Sequence, residues 1–168
     1  GCLLARTGHP DTLQALAALG FGPGAFFSEG RIGTNAVNLA ALEGVPLCVS
    51  GPQHFNQRLH PWHCCASPVY NSTGRQVAIV ALICRVEEAA PGDLALTVSA
   101  GRELANLLQM ERLMQESQHH LSELYALLDG MEDGVLAWDP QGRLRYLNAL
   151  AASRLQLDPA VCLGQPLD

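Results

Sequence analysis

The chain has 168 residues and a formal net charge of -6, with 48% apolar and 15% charged residues. This composition favours a packed globular protein over a disordered one. The acidic balance provides no basic surface for phosphate backbones, so we expect no direct contact with nucleic acid. Neither a secretory signal nor an apolar run of roughly 18 residues occurs, so we expect no membrane contact and a cytoplasmic location.

The six cysteines show no CxxC spacing and no regular repeat. They are Cys2, Cys48, Cys64, Cys65, Cys84 and Cys162. Several of them lie in apolar runs, where cysteine behaves as a small hydrophobic residue. We therefore expect buried free thiols in a reducing compartment.

The first thirty residues alternate apolar runs with glycine. Residues 2–6 are a candidate strand, and residues 12–19 carry leucines at helical spacing. Asp11 is the expected cap of this helix and Gly20 its stop. The segment 21–33 holds four glycines and is too irregular to predict an element.

A second helix is predicted to begin after Thr34 and Asn35, which can cap it, and to run to about Glu43. Residues 45–50 then read as a strand that is closed by a Gly-Pro break. Residues 53–60 are predicted to form a short helix.

Two longer apolar runs flank a tight turn in the next segment. The runs cover residues 64–70 and 76–85, and the turn between them reads Asn-Ser-Thr-Gly at 71–74. This pattern predicts an antiparallel hairpin. The order of helices and strands indicates an α+β fold, in which helices flank a mainly antiparallel sheet.

A long helix is predicted from Leu94 to Asp129, because this segment has no Pro and a single Gly. It would reach roughly 50 Å at 1.5 Å per residue. Apolar side chains recur in its second part with heptad spacing, interrupted by Ser117. The predicted dimer seam consists of Leu107, Met110, Met114, Leu121, Leu124 and Leu128. The alternative is an amphipathic helix that packs on its own domain.

A second predicted hairpin follows the long helix, with strands at 134–138 and 143–147 around a Pro-Gly turn. Asn148 is expected to cap a helix through Leu155. We expect three parts: a sensor domain at 1–93, a dimerisation helix at 94–129, and the beginning of another domain at 130–168. The chain starts without Met, and we expect it to be a piece of a longer protein.

Several chemical alternatives remain open at one histidine- and cysteine-rich segment. Its candidate ligands or nucleophiles are His54, His60, His63, Cys64 and Cys65. Adjacent cysteines on a strand point to opposite faces, so a packed corner is favoured over a metal site. A Cys–His nucleophile pair lacks a recognisable oxyanion site. The glycines of 20–33 lack the context of a phosphate-binding loop, and we expect no cofactor and no enzyme activity.

The segment 29–36 reads EGRIGTNA and is followed by Gly-Val-Pro at 44–46 and Gln-His-Phe at 53–55. These motifs, in this order, resemble the GAF domain of sigma-54-dependent activators. Residues 128–135 (LDGMEDGV), with the later turn at 139–142 and Asn148, resemble the opening of a PAS domain.

Within that family, the layout of GAF domain, long helix and PAS domain is most similar to activators of the dihydroxyacetone kinase operon in enteric bacteria. The resemblance implies that the sensor region binds kinase subunits, which set its activity. It also implies that a parent protein binds DNA through other domains; neither a GxxxxGK[ST] loop nor a helix-turn-helix occurs in these residues.

We therefore expect a regulatory, homodimeric module. The rival hypothesis is a small-molecule-binding GAF module of another sigma-54-dependent activator. Its pocket would be walled by the sheet and by the loops at 21–33 and 50–63.

Overall fold

A computed structural model describes residues 1–166 and has the predicted α+β fold. The helices are α1 (Pro10–Ala18), α2 (Glu29–Ile32), α3 (Ala36–Glu43), α4 (Asp93–Asp129), α5 (Ala149–Leu155) and α6 (Pro159–Cys162). The strands are β1 (Leu47–Ser50), β2 (Trp62–Tyr70), β3 (Gln76–Arg85), β4 (Leu136–Trp138) and β5 (Leu144–Leu147). The chain divides into two compact units, the first from Gly1 to Glu111 and the second from Arg112 onward.

An antiparallel sheet in the order β1-β2-β3 is the centre of the first unit. The predicted hairpin is present as β2 and β3, and β3 has the predicted bounds. In the register of β1 and β2, Leu47 lies opposite Ala66 and Cys48 lies opposite Cys65. Because side chains alternate along a strand, Cys64 and Cys65 point to different faces of this sheet.

Helix α3 covers one face of the sheet. Its alanines Ala36 and Ala40 are fully buried and pack with Val49 and Cys64. Small side chains at these two positions allow the helix to approach the strands closely. The Asn35 side chain accepts a hydrogen bond from the Asn38 amide (2.9 Å), which confirms the predicted N-cap.

The N-terminal segment forms a second core cluster with helix α1. Leu16, Phe21, Phe27 and Trp62 are buried together there. The cap of α1 is His9, whose ring accepts from the Asp11 amide, so the predicted cap at Asp11 is wrong. Pro10 occupies the first helical position, and the capping role therefore falls to the residue before it.

Two other short elements differ from their predictions. Residues 2–6 form no strand; Cys2 makes an isolated antiparallel bridge with Phe26. Residues 53–60 form no α-helix, and the region contains two single 3-10 turns, Gly51–Gln53 and Gln57–Leu59. Gly-Pro and Asn residues break the chain too often there for a continuous helix to propagate.

The second unit contains the β4–β5 hairpin and helix α5. Leu144, Leu147 and Ala151 form its buried cluster. Asn148 caps α5 as predicted, accepting from the Ala151 amide at 2.8 Å. The last two residues of the predicted segment 130–168 lie outside the described residues.

Helix α4 is 37 residues long and begins one residue before its predicted start. At 1.5 Å per residue it measures about 55 Å. Among residues 1–166, no helix combines the length and apolar character that crossing a bilayer requires. The predicted division into three parts stays a prediction.

Candidate functional site

The first turns of α4 pack on the sheet face opposite α3. Thr97 and Gly101 are the buried residues of this helix. A Cβ atom at Gly101 would lie 3.2 Å from the Ser67 hydroxyl and 3.8 Å from Val69 Cγ2. Glycine at this position therefore lets the helix backbone lie close against β2. The contact fixes where the long helix begins relative to the sheet of the first unit.

Further along α4, the residues of the predicted dimer seam are largely exposed in the single chain. Leu107, Met110, Met114, Leu121 and Leu124 each expose about half of their surface or more (49–61%). Leu128 is half-buried. Leu113 and Leu127 are exposed as well, which widens the apolar stripe beyond a strict heptad seam. A row of exposed large apolar residues on one helix is typical of an association surface.

Two ion pairs lie on the opposite side of the same helix. Arg112 Nε lies 2.8 Å from Glu116 Oε1, and His119 Nε2 lies 3.1 Å from Glu123 Oε1. With Leu107 and Met114 at heptad position a, all four charged residues occupy positions c and f. These are the outward positions of a coiled coil, so charge and apolar surface are separated.

In the second unit, Asn148 connects the end of α4 to the hairpin and to α5. Its amide nitrogen donates to the carbonyls of Leu128 and Asp133, both at 2.9 Å. Its amide oxygen accepts from the backbone amides of Val135 (3.0 Å) and Ala151 (2.8 Å). The side chain is fully buried. The sequence pointed to Asn148 as a helix cap but not to this wider role.

Tyr146 makes a second connection to the end of the helix. Its hydroxyl donates to Asp129 at 2.9 Å, and its ring stacks on Tyr125 with centroids 5.1 Å apart. Partial burial and the hydrogen bond to Asp129 raise the pKa of the Tyr146 phenol. These two contacts join the end of α4 to strand β5 within the second unit.

The histidine- and cysteine-rich segment is divided between several environments. His54 is buried, with Nδ1 3.3 Å from the Thr34 carbonyl, and burial lowers its pKa. His60 lies 3.1 Å from the His54 carbonyl. Cys64 faces the core that α3 covers. His63 and Cys65 lie on the other face, with Nε2 and Sγ 3.2 Å apart.

Cys48 and Cys65 form a disulfide in the structure. The expectation of free thiols is therefore wrong for these two cysteines. Neither the spacing of 17 residues nor the composition indicated the pairing; the register of β1 and β2 creates it. Ligand atoms of Cys48, His63 and Cys65 lie within 4.8 Å of one another, a set that the sequence did not predict.

The hypothesis of a nucleophilic cysteine receives no support from the two cysteines considered for it. Burial, with a further contribution from Cys84, raises the pKa of the Cys64 thiol to about 12. Such a thiol is almost entirely protonated at neutral pH and is a poor nucleophile. Cys65 is held in the disulfide.

The EGRIGTNA segment has a structural role in the first unit. Asn35 donates to the carbonyls of Phe27 (3.1 Å) and Gly33 (2.8 Å) while it caps α3. Gly33 has a φ of 78°, a left-handed conformation that favours glycine. The Asn35 side chain thereby ties the preceding loop to the start of α3.

The proposed walls of a metabolite pocket enclose little space. A cavity of about 20 Å³ lies among Phe21, Phe27, His54 and Trp62. This volume accommodates about one water molecule. A larger open groove of about 310 Å³ lies elsewhere in the first unit, beside Tyr70 and Arg102.

Comparison with known proteins gives matches along the whole chain. Residues 122–167 match the PAS fold family model. The chain is 45% identical over 166 residues to the PTS-dependent dihydroxyacetone kinase operon regulatory protein of Escherichia coli, covering 99% of this chain and 26% of that protein. It is 44% identical over 167 residues to the glycerol metabolism operon regulatory protein of Citrobacter freundii, with the same coverage. The chain therefore spans about a quarter of the length of these relatives.

A solved structure is also similar to this chain. It is the crystal structure of the E. coli DhaR(N)–DhaL complex, with a TM-score of 0.80 and 45% sequence identity. The match covers 99% of this chain and 56% of that one. These relatives are operon regulatory proteins, and the predicted resemblance to regulators of the dihydroxyacetone kinase operon is confirmed.

Proposed function

Because the chain is related over almost its whole length to the N-terminal region of dihydroxyacetone kinase operon regulators, we propose that it is the signal-receiving region of such a regulator. It binds a dihydroxyacetone kinase subunit and pairs with a second copy through helix α4. It acts in the cytoplasm, has no catalytic role, and contacts no nucleic acid itself. DNA binding belongs to other parts of a full regulator.

The observation that carries kinase binding is the similarity to a protein that was solved in complex with DhaL. At 45% identity over 99% of this chain and 56% of that one, the two proteins share a fold, which supports a partner of the same kind. The net charge of -6 is consistent with a protein partner and unfavourable for DNA.

Pairing through α4 is supported by the distribution of its side chains. The apolar stripe defined by Leu107, Met114 and Leu121 has no cover within its own chain in the described residues. The ion pairs Arg112–Glu116 and His119–Glu123 leave that stripe free of charge. A parallel pair of α4 helices buries the stripe and keeps the ion pairs in solvent.

The remaining assignments follow from the motifs and the family match. Residues 1–93 form a GAF-like sensor domain of the sigma-54-dependent type, and residues 94–129 form the dimerisation helix. Residues 130–168 belong to a PAS domain, which the match at 122–167 supports. Kinase binding at the sensor biases the rotation or register of the paired helices, which is the signal passed onward.

Calorimetric titration of this chain with the DhaL subunit tests the partner. We expect saturable binding with a micromolar or tighter dissociation constant. A parallel thermal-shift series with dihydroxyacetone and glycerol tests the rival small-molecule hypothesis, which the cavity of about 20 Å³ disfavours. A shift with a metabolite and no heat with DhaL would contradict kinase binding.

Sedimentation of a seam variant tests the pairing. The double substitution Met114→Asp and Leu121→Asp places two charges per chain in the seam, where each large apolar side chain contributes about 1.5–3 kcal/mol when buried. We expect dimerisation to weaken by at least about 100-fold. The matched control, Gln109→Asp with Gln115→Asp, adds the same charges at outward positions and should leave the dimer intact. Equal effects of both variants would refute the seam.

A further inference from the structure

We propose that Cys48, His63, Cys65 and Asp93 bind one divalent cation of the zinc type when both cysteines are reduced. The site lies wholly in the first unit, on the sheet face that the first turns of α4 cover. This site is inferred without reference to kinase binding.

The pairing of β1 with β2 brings three of the four residues together. Cys48 lies opposite Cys65, and Ser50 lies opposite His63. Because His63 and Cys65 are two residues apart on β2, their side chains point to the same face. Cys64, the neighbour in sequence, points to the opposite face and is no part of the set. The second sulfur of the site therefore comes from Cys48 on the adjacent strand β1.

The two distances measured from His63 Nε2 lie near the edge lengths of a metal tetrahedron. Bonds of roughly 2.0–2.3 Å from zinc to nitrogen, oxygen and sulfur place neighbouring ligand atoms about 3.4–3.8 Å apart. His63 Nε2 is 3.2 Å from Cys65 Sγ and 3.7 Å from Asp93 Oδ2. The Cys48 sulfur lies within 4.8 Å of the His63 nitrogen and the Cys65 sulfur. After reduction, the two sulfurs need to separate to about 3.8 Å, which side-chain rotation on facing strands allows.

The surroundings of His63 favour a ligand role. Its side chain is 12% exposed and that of Asp93 is 14% exposed, so both groups are largely removed from water. Within residues 1–166, the buried Nδ1 of His63 has no hydrogen-bond partner. The polar atoms beside the ring lie at Nε2, and they are the Cys65 sulfur and an Asp93 carboxylate oxygen. Two sulfurs and one imidazole select zinc over magnesium or calcium, which prefer oxygen ligands.

The binding step balances in electrons and protons. A dithiol reductant transfers two electrons and two protons to the Cys48–Cys65 disulfide, which yields two thiols and oxidises the reductant to its own disulfide. The cation then binds both sulfurs and displaces the two thiol protons to solvent. The charge of the cation offsets two thiolates and the Asp93 carboxylate, which would repel one another without it.

The ion would connect two elements of the first unit. Asp93 is the first residue of α4, whereas the other three ligands belong to the sheet. A bound cation thus fixes the start of the helix on β1 and β2. We expect the reduced chain to unfold at a higher temperature with zinc than without it.

Cobalt substitution tests the site directly. The chain is reduced with dithiothreitol, separated from the reductant under anaerobic conditions, and titrated with Co²⁺. We expect thiolate-to-cobalt charge-transfer bands and tetrahedral ligand-field bands that saturate at one ion per chain, and zinc should displace the cobalt. The same chain with its disulfide intact should show neither set of bands, and this comparison requires no mutation.

Variants identify the ligands, with circular dichroism as the check on folding. Cys48→Ser, His63→Gln and Asp93→Asn should each weaken cobalt binding by roughly tenfold or more. The matched control, Cys2→Ser with Cys162→Ser, removes two free thiols outside the cluster and should bind as the unmodified chain does. Absence of thiolate bands in the reduced chain would overturn the proposal. So would bands that the control variant abolishes, or that survive loss of both Cys48 and His63.

Discussion

Removal of the Asn148 side chain should loosen the second unit selectively. Asn148 donates to the carbonyls of Leu128 and Asp133 and accepts from the amides of Val135 and Ala151. The substitution Asn148→Ala removes all four bonds at a position with no solvent exposure. The Asp133 carbonyl and the Val135 amide lie in the segment between α4 and the hairpin, so the substitution loosens that segment.

The size of the effect follows from the bonds that are lost. Loss of an N-cap costs about 1 kcal/mol. Each buried backbone group that is left unpaired costs about 1–3 kcal/mol, less where water can enter. We expect a total of about 3 kcal/mol, which corresponds to roughly a 100-fold loss of protection in the second unit.

Hydrogen exchange read by mass spectrometry measures this loss peptide by peptide. Peptides that contain the Val135 and Ala151 amides should exchange roughly 100-fold faster in the Asn148→Ala variant, while peptides of β2 stay unchanged. Asn106→Ala, the same substitution on an exposed surface of α4, is the control and should leave both units unaffected. A change of less than about fivefold at Val135 would refute the assigned role of Asn148.

Other expectations concern the first unit. Gly101→Ala should alter the free energy of unfolding by less than about 1 kcal/mol in urea titrations, because helix propensity offsets the tight contact with Ser67, whereas Gly101→Leu should destabilise by about 1–3 kcal/mol. With a pKa of about 12, Cys64 has about one thiolate per thousand molecules at pH 9, so alkylation of the native reduced chain should reach exposed Cys2 well before Cys64; equal rates would contradict the burial. The pKa of His54 is lower in the folded chain than the ordinary value of 6.5, so the unfolded chain takes up the proton at a higher pH than the folded chain does. The free energy of unfolding should therefore fall as the pH drops below 6.5. His54→Gln should flatten this pH dependence of the urea midpoint, and an unchanged slope would contradict it.

Local signals predicted the elements whose formation depends on nearby residues. Turn residues set the bounds of β3, and capping side chains mark the helix starts at Asn35 and Asn148. The absence of Pro predicts the extent of α4. The same signals misplaced the cap of α1, because His9 is an uncommon capping residue and Pro10 fixes the first helical position. Breakers in the region 53–60 favour separate turns over the predicted helix.

Features that depend on strand register could not be predicted from local patterns. The contact between Cys48 and Cys65 requires knowing which residues of β1 and β2 face each other. The position of Asp93 beside His63 likewise depends on how α4 returns over the sheet. The dimer seam was predicted from periodicity alone and stays a prediction, although five of its six residues are exposed in the single chain.

Light scattering during size-exclusion chromatography tests the central claim most directly. The chain alone should elute with a mass of about 36 kDa, twice the 17.9 kDa of one chain. Addition of the DhaL subunit should produce a single heavier species that contains both proteins. A mass of 17.9 kDa at tens of micromolar, or separate elution of the chain and DhaL, would contradict a dimeric regulatory region that binds a kinase subunit.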